Sequence, residues 1–287
     1  MTRKVLFVVH AGRARALEVS RAAAEGLISR GMSVACADSD ADLLHVAGVQ
    51  SASDASGCEL VVVFGGARTI LREIEIARPS DIPVLGVNMR HVGFLAEAEP
   101  EDIDSVIEAI AENKLRVEQR VALNVTVVDP HGNEWTSWAL NEVAIEKHQR
   151  ERMTEVGVSI DNHRVSRFAC DGLLCSTPTG STAYAFSAGG PVVWPEVDAF
   201  LVVPISAHAL FARPLVVSPS SEIEVVIEAG PVIVSADGRR NTDAATGSTV
   251  RVVRDSQTVK FARVHPTPFT ERLVAKFELP VQGWRNN

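Results

Sequence analysis

The sequence is most informative at first through what it lacks. It has no basic excess: 36 acidic residues against 28 basic ones leave a net charge of −8. That balance argues against nonspecific nucleic-acid binding, which needs a basic face to displace counterions from phosphates; a local basic pocket stays open. No window approaches the ~20 consecutive apolar residues that cross a bilayer, so no membrane partner is expected. The opening MTRKVLFVVHAGRARALEVS turns helical and charged after a short apolar run, which reads as a first strand and not a secretion signal. The four cysteines, Cys36, Cys58, Cys170 and Cys175, contain no C-x-x-C pair. Neither a zinc knuckle nor a disulfide framework is indicated, and a reduced, cytoplasmic protein is expected. Cys170 and Cys175 read as small apolar residues of a buried strand. No fixed repeat and no low-complexity segment is present.

What remains is an ordinary globular composition, with 46% hydrophobic and 22% charged residues over 287 positions, long enough for two domains. Lys4 to His10 is a continuous apolar strand, and Ala14 to Ser29 places Leu17, Ala22, Ala23, Leu27 and Ile28 at helical spacing. Met32 to Ala37, Leu60 to Phe64 and Val84 to Val87 continue the strands. Helices are expected over Leu71 to Arg78 and Pro100 to Glu112, the latter opening with acids that suit its positive end. Strands alternating with helices predict a parallel sheet covered by helices, a Rossmann-like α/β domain over residues 1–118. From Val121 the period drops to two, in Val121, Leu123, Val125 and Val127, then in Val156, Val158 and Ile160, then in Ile223, Val225 and Ile227. Hairpins of that kind predict a β-sandwich domain over 119–262. The tail 263–287, with a loop and short helix from Pro266 to Phe277, is expected to pack back on the first domain.

Three stretches carry chemistry. VVVFGGARTILR, residues 61–72, runs from a buried strand through Gly65 and Gly66 into a helix, a turn that bares N–H groups toward a phosphate, yet Ala67 and Arg68 stand where an acid or hydroxyl is expected. CDGLLCSTPTGSTAYAFSAGGP, residues 170–191, concentrates hydroxyls and glycines and holds the only tyrosine, Tyr184. Its Ser176 to Ser181 portion reads either as donors for phosphate or ribose oxygens or as a capped helix starting near Ser181. Asn141-Glu142 interrupts an apolar run, where an unpartnered polar group costs about 1–3 kcal/mol; ribose hydroxyls or local backbone could satisfy it. Asp237-Gly238 reads as a hairpin turn or a functional aspartate, and His208 as an acid–base group or a structural residue.

Taken in order, GGxxTILR, GVNxxHVGFLAEAE, LNE, the 170–191 segment, PISAHALFARPL and SADG resemble the NAD kinase family over nearly the whole chain. The resemblance implies phosphorylation of the adenosine-ribose 2′-hydroxyl of NAD to give NADP, with ATP or polyphosphate as donor, Mg²⁺ or another divalent metal, and a homodimer or homotetramer. It implies that Asn141 and Glu142 hold ribose hydroxyls, that Thr182, Ala183 and Tyr184 line the base sites, and that Phe94, Asp171 and Ser187 complete the NAD pocket. Gly65, Gly66, Arg72, Thr179, Gly180 and Ser181 would lie at phosphates; His91, His208 and Asp237 are placed less firmly. No residue is expected to be a dedicated metal ligand.

The chain departs from the family pattern where chemistry is most demanding. The first motif, Gly-Gly-Asp-Gly in the family, is Gly65-Gly66-Ala67-Arg68 here, so the favoured general base is a methyl group. Arg68 is expected either to strain a turn that prefers glycine or to fill space meant for a ligand. The second motif, usually Asn-Leu-Gly-His, is Asn88-Met89-Arg90-His91, and Glu73 and Ile74 replace small residues. Arg68 and Arg90 beside Arg72 raise the local positive potential and favour a bound anion. Two functions follow: a kinase weakened or silenced at its base, or an inactive or engineered NADP(H) binder whose Arg68 and Arg90 hold the 2′-phosphate.

Overall fold

The computed structural model describes residues 2–10, 14–89, 93–96, 98–264 and 267–281, with the backbone alone at 38–40. Two compact units emerge, one formed by Met1–Gln119 with Val259–Asn287 and the other by Arg120–Thr258.

In the first unit the apolar runs become a seven-stranded sheet ordered Gln50–Ala52, Ser33–Ala37, Lys4–Val9, Leu60–Phe64, Val84–Val87, Val259–Arg263, Arg116–Arg120. The first six pair in parallel along that order. Every residue of Leu60–Phe64 and Val84–Val87 is buried, as a sheet covered on both faces requires. Alternate residues serve the two faces. Phe7, Val62, Phe64, Leu85 and Val87 share a core with the helices Ala14–Ser29 and Ile103–Ala111, while Gly86 turns toward Ile70 of the helix Ala67–Ala77. The order reverses between Lys4–Val9 and Leu60–Phe64, and the carboxyl ends of strands at such a switch point are where open α/β sheets bind ligands. Gly65 and Gly66 follow directly from that end.

Three local expectations shift. The third helix begins at Ala67, not Leu71, because alanine and arginine are good helix formers, so the two altered residues make its first turn. The helix expected over Pro100 to Glu112 is a 3₁₀ turn, Pro100–Asp102, with a capping box between Glu99 and Asp102, followed by Ile103–Ala111; proline fits only the first turn. Val259–Arg263, assigned from sequence to the second domain, is a strand of the seven-stranded sheet, since a short buried run carries no period that distinguishes the two domains. The tail forms the helix Phe269–Phe277 and clusters with the first unit.

The second unit holds two six-stranded antiparallel sheets. One is ordered His163–Cys170, Thr154–Ile160, Ile223–Ala229, Thr249–Arg254, Leu123–Val128, Glu134–Ala139; the other is Leu215–Val217, Phe200–Ile205, Gly172–Ser176, Glu142–Lys147, Val232–Ala236, Arg240–Ala244. Their inward residues, among them Val125, Val143, Ile145, Val156, Leu173, Cys175 and Phe200, form one core, the face-to-face packing of a sandwich. Cys170 and Cys175 are buried as expected, and burial pushes their thiols up to about 11 and about 12. Among the described residues no helix is long and apolar enough to cross a membrane.

Phe64 is fully buried and meets Phe7 edge-on at 4.9 Å immediately before the glycine pair. Phe64→Ala should therefore cost about 3–5 kcal/mol of stability, read as a lowered urea midpoint for the α/β unit.

Candidate functional site

The glycine turn is shaped by one close approach. A Cβ on Gly65 would lie 2.7 Å from Thr69 Cβ, whereas Gly66 has open space around it. Gly65 N–H donates to Val87 O, tying the turn to the next strand. Gly66 caps the helix Ala67–Ala77 in extended conformation with no side-chain cap, and no acid stands in the first turn. The helix end therefore presents unsatisfied N–H groups and a positive dipole end suited to an anion. Arg68 is exposed and helical and is absent from the positive-φ residues. The expected turn strain is thus not there, because the position belongs to the helix. Arg72 pairs with the buried Glu73, which offsets its charge. Arg90 and His91 lie outside the described residues. The loop that follows brings Phe94 against Phe269 and Phe277, with ring centroids at 5.4 and 6.0 Å; Phe94 is half-buried on the tail helix.

In the second unit the chain passes from one sheet to the other at Leu140-Asn141, between the strands Glu134–Ala139 and Glu142–Lys147. A corner frees backbone groups that must be satisfied where they are buried, and side chains distant in sequence do so here. Asp237 accepts from Leu140 N–H at 2.9 Å and from Asn141 N–H at 2.7 Å. On the other side Thr177 Oγ1 donates to Leu140 O at 2.5 Å, and Ser176 Oγ and Thr177 N–H both donate to Asn141 O. Gly180 packs so closely that a Cβ there would stand 2.1 Å from Asn141 O. Asp237 sits in a tight turn with Gly238, at φ 53° and 62°, and Arg239 N–H closes the turn on Ala236 O. The hairpin-turn reading of Asp237-Gly238 holds, and the buried carboxylate serves the protein's own backbone. Burial pushes the Asp237 carboxyl up from its ordinary range, against the pull of the Leu140 and Asn141 N–H groups and of Arg240. Arg240 bonds Asp237 at 3.1 Å and lies over the Trp138 ring at 4.4 Å.

Glu142, next to this corner, is 8% exposed, and its Oε2 finds no hydrogen-bond partner among the described residues. Burial, then the Asp237 charge, push its carboxyl up to about 8, the Tyr184 N–H opposing and Glu146 adding. A carboxyl oxygen so placed lacks a hydrogen-bond partner, which is costly in a buried position. Asn141 is equally buried beside it.

The 170–191 segment does not start a regular helix at Ser181. It forms a 3₁₀ turn, Thr179–Thr182, breaks at Ala183, and resumes as one helical turn, Tyr184–Ser187. Ser181 explains the break: its hydroxyl donates to Val193 O and accepts from Val193 N–H, which staples the turn to the following loop. Thr182, Ala183 and Tyr184 are half-buried, Thr179 partly so, and Ser187 is exposed. Asp171 is paired with Lys147 at 2.5 Å. His208 is exposed, and its N–H donates to Ala169 O. Arg240 and Glu146 went unread in the sequence. The alternation Glu142, Ala144, Glu146 could have revealed the last, because it puts both acids on one face of a strand.

A parallel sheet whose switch point ends in a glycine pair, and a sandwich with a buried carboxylate oxygen that has no partner among the described residues, fit the class of two-domain nucleotide-binding proteins. The ATP-NAD kinase N-terminal domain matches residues 5–115 and the ATP-NAD kinase C-terminal domain residues 140–264. NAD kinase 2 of Streptomyces coelicolor is 47% identical, covering 99% of this chain and 97% of its own length. The NAD kinase of Mycobacterium tuberculosis is 48% identical over 99% and 98%. The crystal structure of yeast NADH kinase complexed with NADH shares the fold at a TM-score of 0.89 and 20% identity, over 100% of this chain and 90% of that one. An NAD kinase from Archaeoglobus fulgidus in complex with ATP superposes at 0.69 with 28% identity, over 91% and 93%. The chain belongs to the NAD kinase family, a family of phosphotransferases.

Two outcomes follow. Asp237→Ala leaves two buried N–H groups without acceptors and should destabilise the β unit by about 2–4 kcal/mol, with Asp237→Asn between it and the parent in urea melts. Glu142 titrates near 8 when folded, against an ordinary value of 4.5, so the folded state holds an extra proton between those values. Stability is then lost as pH rises through that window. Glu142→Gln should flatten that slope, narrowing the fall in Tm between pH 5 and 8.5 by about 8–15 °C.

Proposed function

We propose that this chain transfers the γ-phosphoryl group of ATP to the adenosine-ribose 2′-hydroxyl of NAD, giving NADP, at a rate well below that of a relative whose glycine turn carries an acid. The unpartnered Oε2 of buried Glu142 is the observation that carries the reading, since vicinal ribose hydroxyls are donors of the kind it lacks. Asn141 and Glu142 hold ribose hydroxyls in this account. Thr182, Ala183, Tyr184 and Ser187 border the bases, with Phe94 and Asp171 as further NAD contacts. Gly65, Gly66 and Arg72 serve phosphate oxygens, and Thr179, Gly180 and Ser181 likewise lie at phosphates in this account.

Phosphoryl transfer is mostly positioning and charge neutralisation. The hydroxyl oxygen forms a bond to the γ-phosphorus, the bond to the ADP oxygen breaks, and the hydroxyl proton goes to an acceptor. Ala67 offers none. A phosphate oxygen of the substrate or a water takes the proton, and lost general-base assistance costs about 10²–10⁴-fold. The residues present do not fit a resident divalent cation: Ala67 has no donor atom, and no group of three His, Cys, Asp or Glu among the described residues could hold one. Magnesium belongs to this reading as part of the ATP substrate, bound to its phosphates. The cytoplasm and a homo-oligomer complete it.

A second reading is favoured by one observation, the helix end whose first turn holds an exposed arginine and no acid. In it the chain binds NADP without turnover, Arg68 and Arg90 holding the 2′-phosphate. NADP formation from NAD, ATP and Mg²⁺, measured for the chain and for the Ala67→Asp, Arg68→Gly variant, separates the two. The kinase reading expects slow turnover that rises about 10²-fold or more in the variant. Turnover in neither protein overturns it; tighter binding of NADP than NAD, with the gap reduced in Arg68→Ala, would then establish the binder.

A further inference from the structure

The outward face of the strand Glu142–Lys147 carries Glu142, Ala144 and Glu146, since Val143 and Ile145 point into the sandwich core. Ala144 joins Leu174, Leu201 and Val203 in a second apolar cluster on which Ala185 and Tyr184 pack. Tyr184 is held from this strand by its phenol, which donates to Glu146 Oε1 at 2.7 Å, while its backbone N–H favours the charged form of Glu142. Gly172 lies opposite Glu146, and a Cβ there would stand 2.6 Å from Ile145 O and 3.3 Å from both Glu146 Cα and Cγ, so glycine lets the neighbouring strand run this close.

We propose that Glu146 is a positioning residue: its hydrogen bond lays the Tyr184 ring along Ala144 and so fixes an aromatic surface one strand step from the unpartnered oxygen of Glu142. A planar base on the ring and a hydroxyl on the carboxylate would then be bound in fixed register. This deepens the dinucleotide reading above and rests on it. Burial, then the bond to Glu146, push the phenol up to about 12, so Tyr184 stays a donor throughout the working range.

Tyr184 is the only tyrosine, so protein labelled with ¹³C at the tyrosine ring gives one tyrosine signal. Glu146→Ala should shift that signal and weaken NAD about tenfold by calorimetry, as loss of a charge-assisted hydrogen bond allows. Glu146→Gln, which keeps an acceptor oxygen, should recover most of the affinity. Tyr184→Phe should match Glu146→Ala, and the double variant should be no weaker than either. An unmoved signal, an unchanged affinity in Glu146→Ala, or additive losses in the double variant would overturn the proposal. Failure of the parent protein to bind NAD would overturn the dinucleotide reading instead, while the signal still decides whether Glu146 holds the ring.

Discussion

The β unit depends on a corner that is pinned from two sides. Where the chain leaves one sheet for the other at Leu140-Asn141, Asp237 takes the two N–H groups, and Ser176 and Thr177 occupy the two carbonyls. Buried backbone groups demand partners, and here the partners come from two other segments, both tied to the site. Glu142 begins its strand at this corner, and the Thr179–Thr182 turn starts two residues after Thr177. Fixing the corner therefore fixes a carboxylate, a glycine and a tyrosine together. Gly180 contributes by absence, because any side chain there would strike Asn141 O.

The α/β unit places its glycine turn at the switch point of the sheet. Gly65 lies so close to Thr69 that a Cβ there would stand 2.7 Å from it. The helix that follows has no side-chain cap and no acid in its first turn. Its first residue is Ala67, whose methyl accepts no proton, and the exposed Arg68 comes next. Such a helix end attracts anions and offers no proton acceptor of its own.

Much of the architecture is legible in the sequence because period reports burial: the shift from continuous apolar runs to strict alternation near Val121 separates the two units and predicts an α/β domain and a β-sandwich. The limits of local pattern are equally physical. Val259–Arg263 could not be assigned to a sheet from five residues. Ala67 and Arg68 were read as a turn because glycine motifs usually extend there, yet both are good helix formers and the helix starts at once. The turn at Asp237 is visible as Asp-Gly, but nothing local shows that its carboxylate reaches a backbone 96 residues away. The hydroxyls of 170–191 read as ligand donors, and Ser176, Thr177 and Ser181 instead bond the protein's own backbone. Composition reveals that donors are present, whereas geometry decides which are already used.

In the proposed reading Glu142 awaits hydroxyl donors from a dinucleotide. Its carboxyl, held near 8 by burial, is mostly protonated at pH 7, and donors that favour the charged form lower it. Calorimetric titration of NAD at pH 7 in buffers of different ionisation enthalpy measures the protons released on binding. The account predicts net release approaching one proton, abolished in Glu142→Gln. Binding with no proton release, or the same release in the variant, would contradict it.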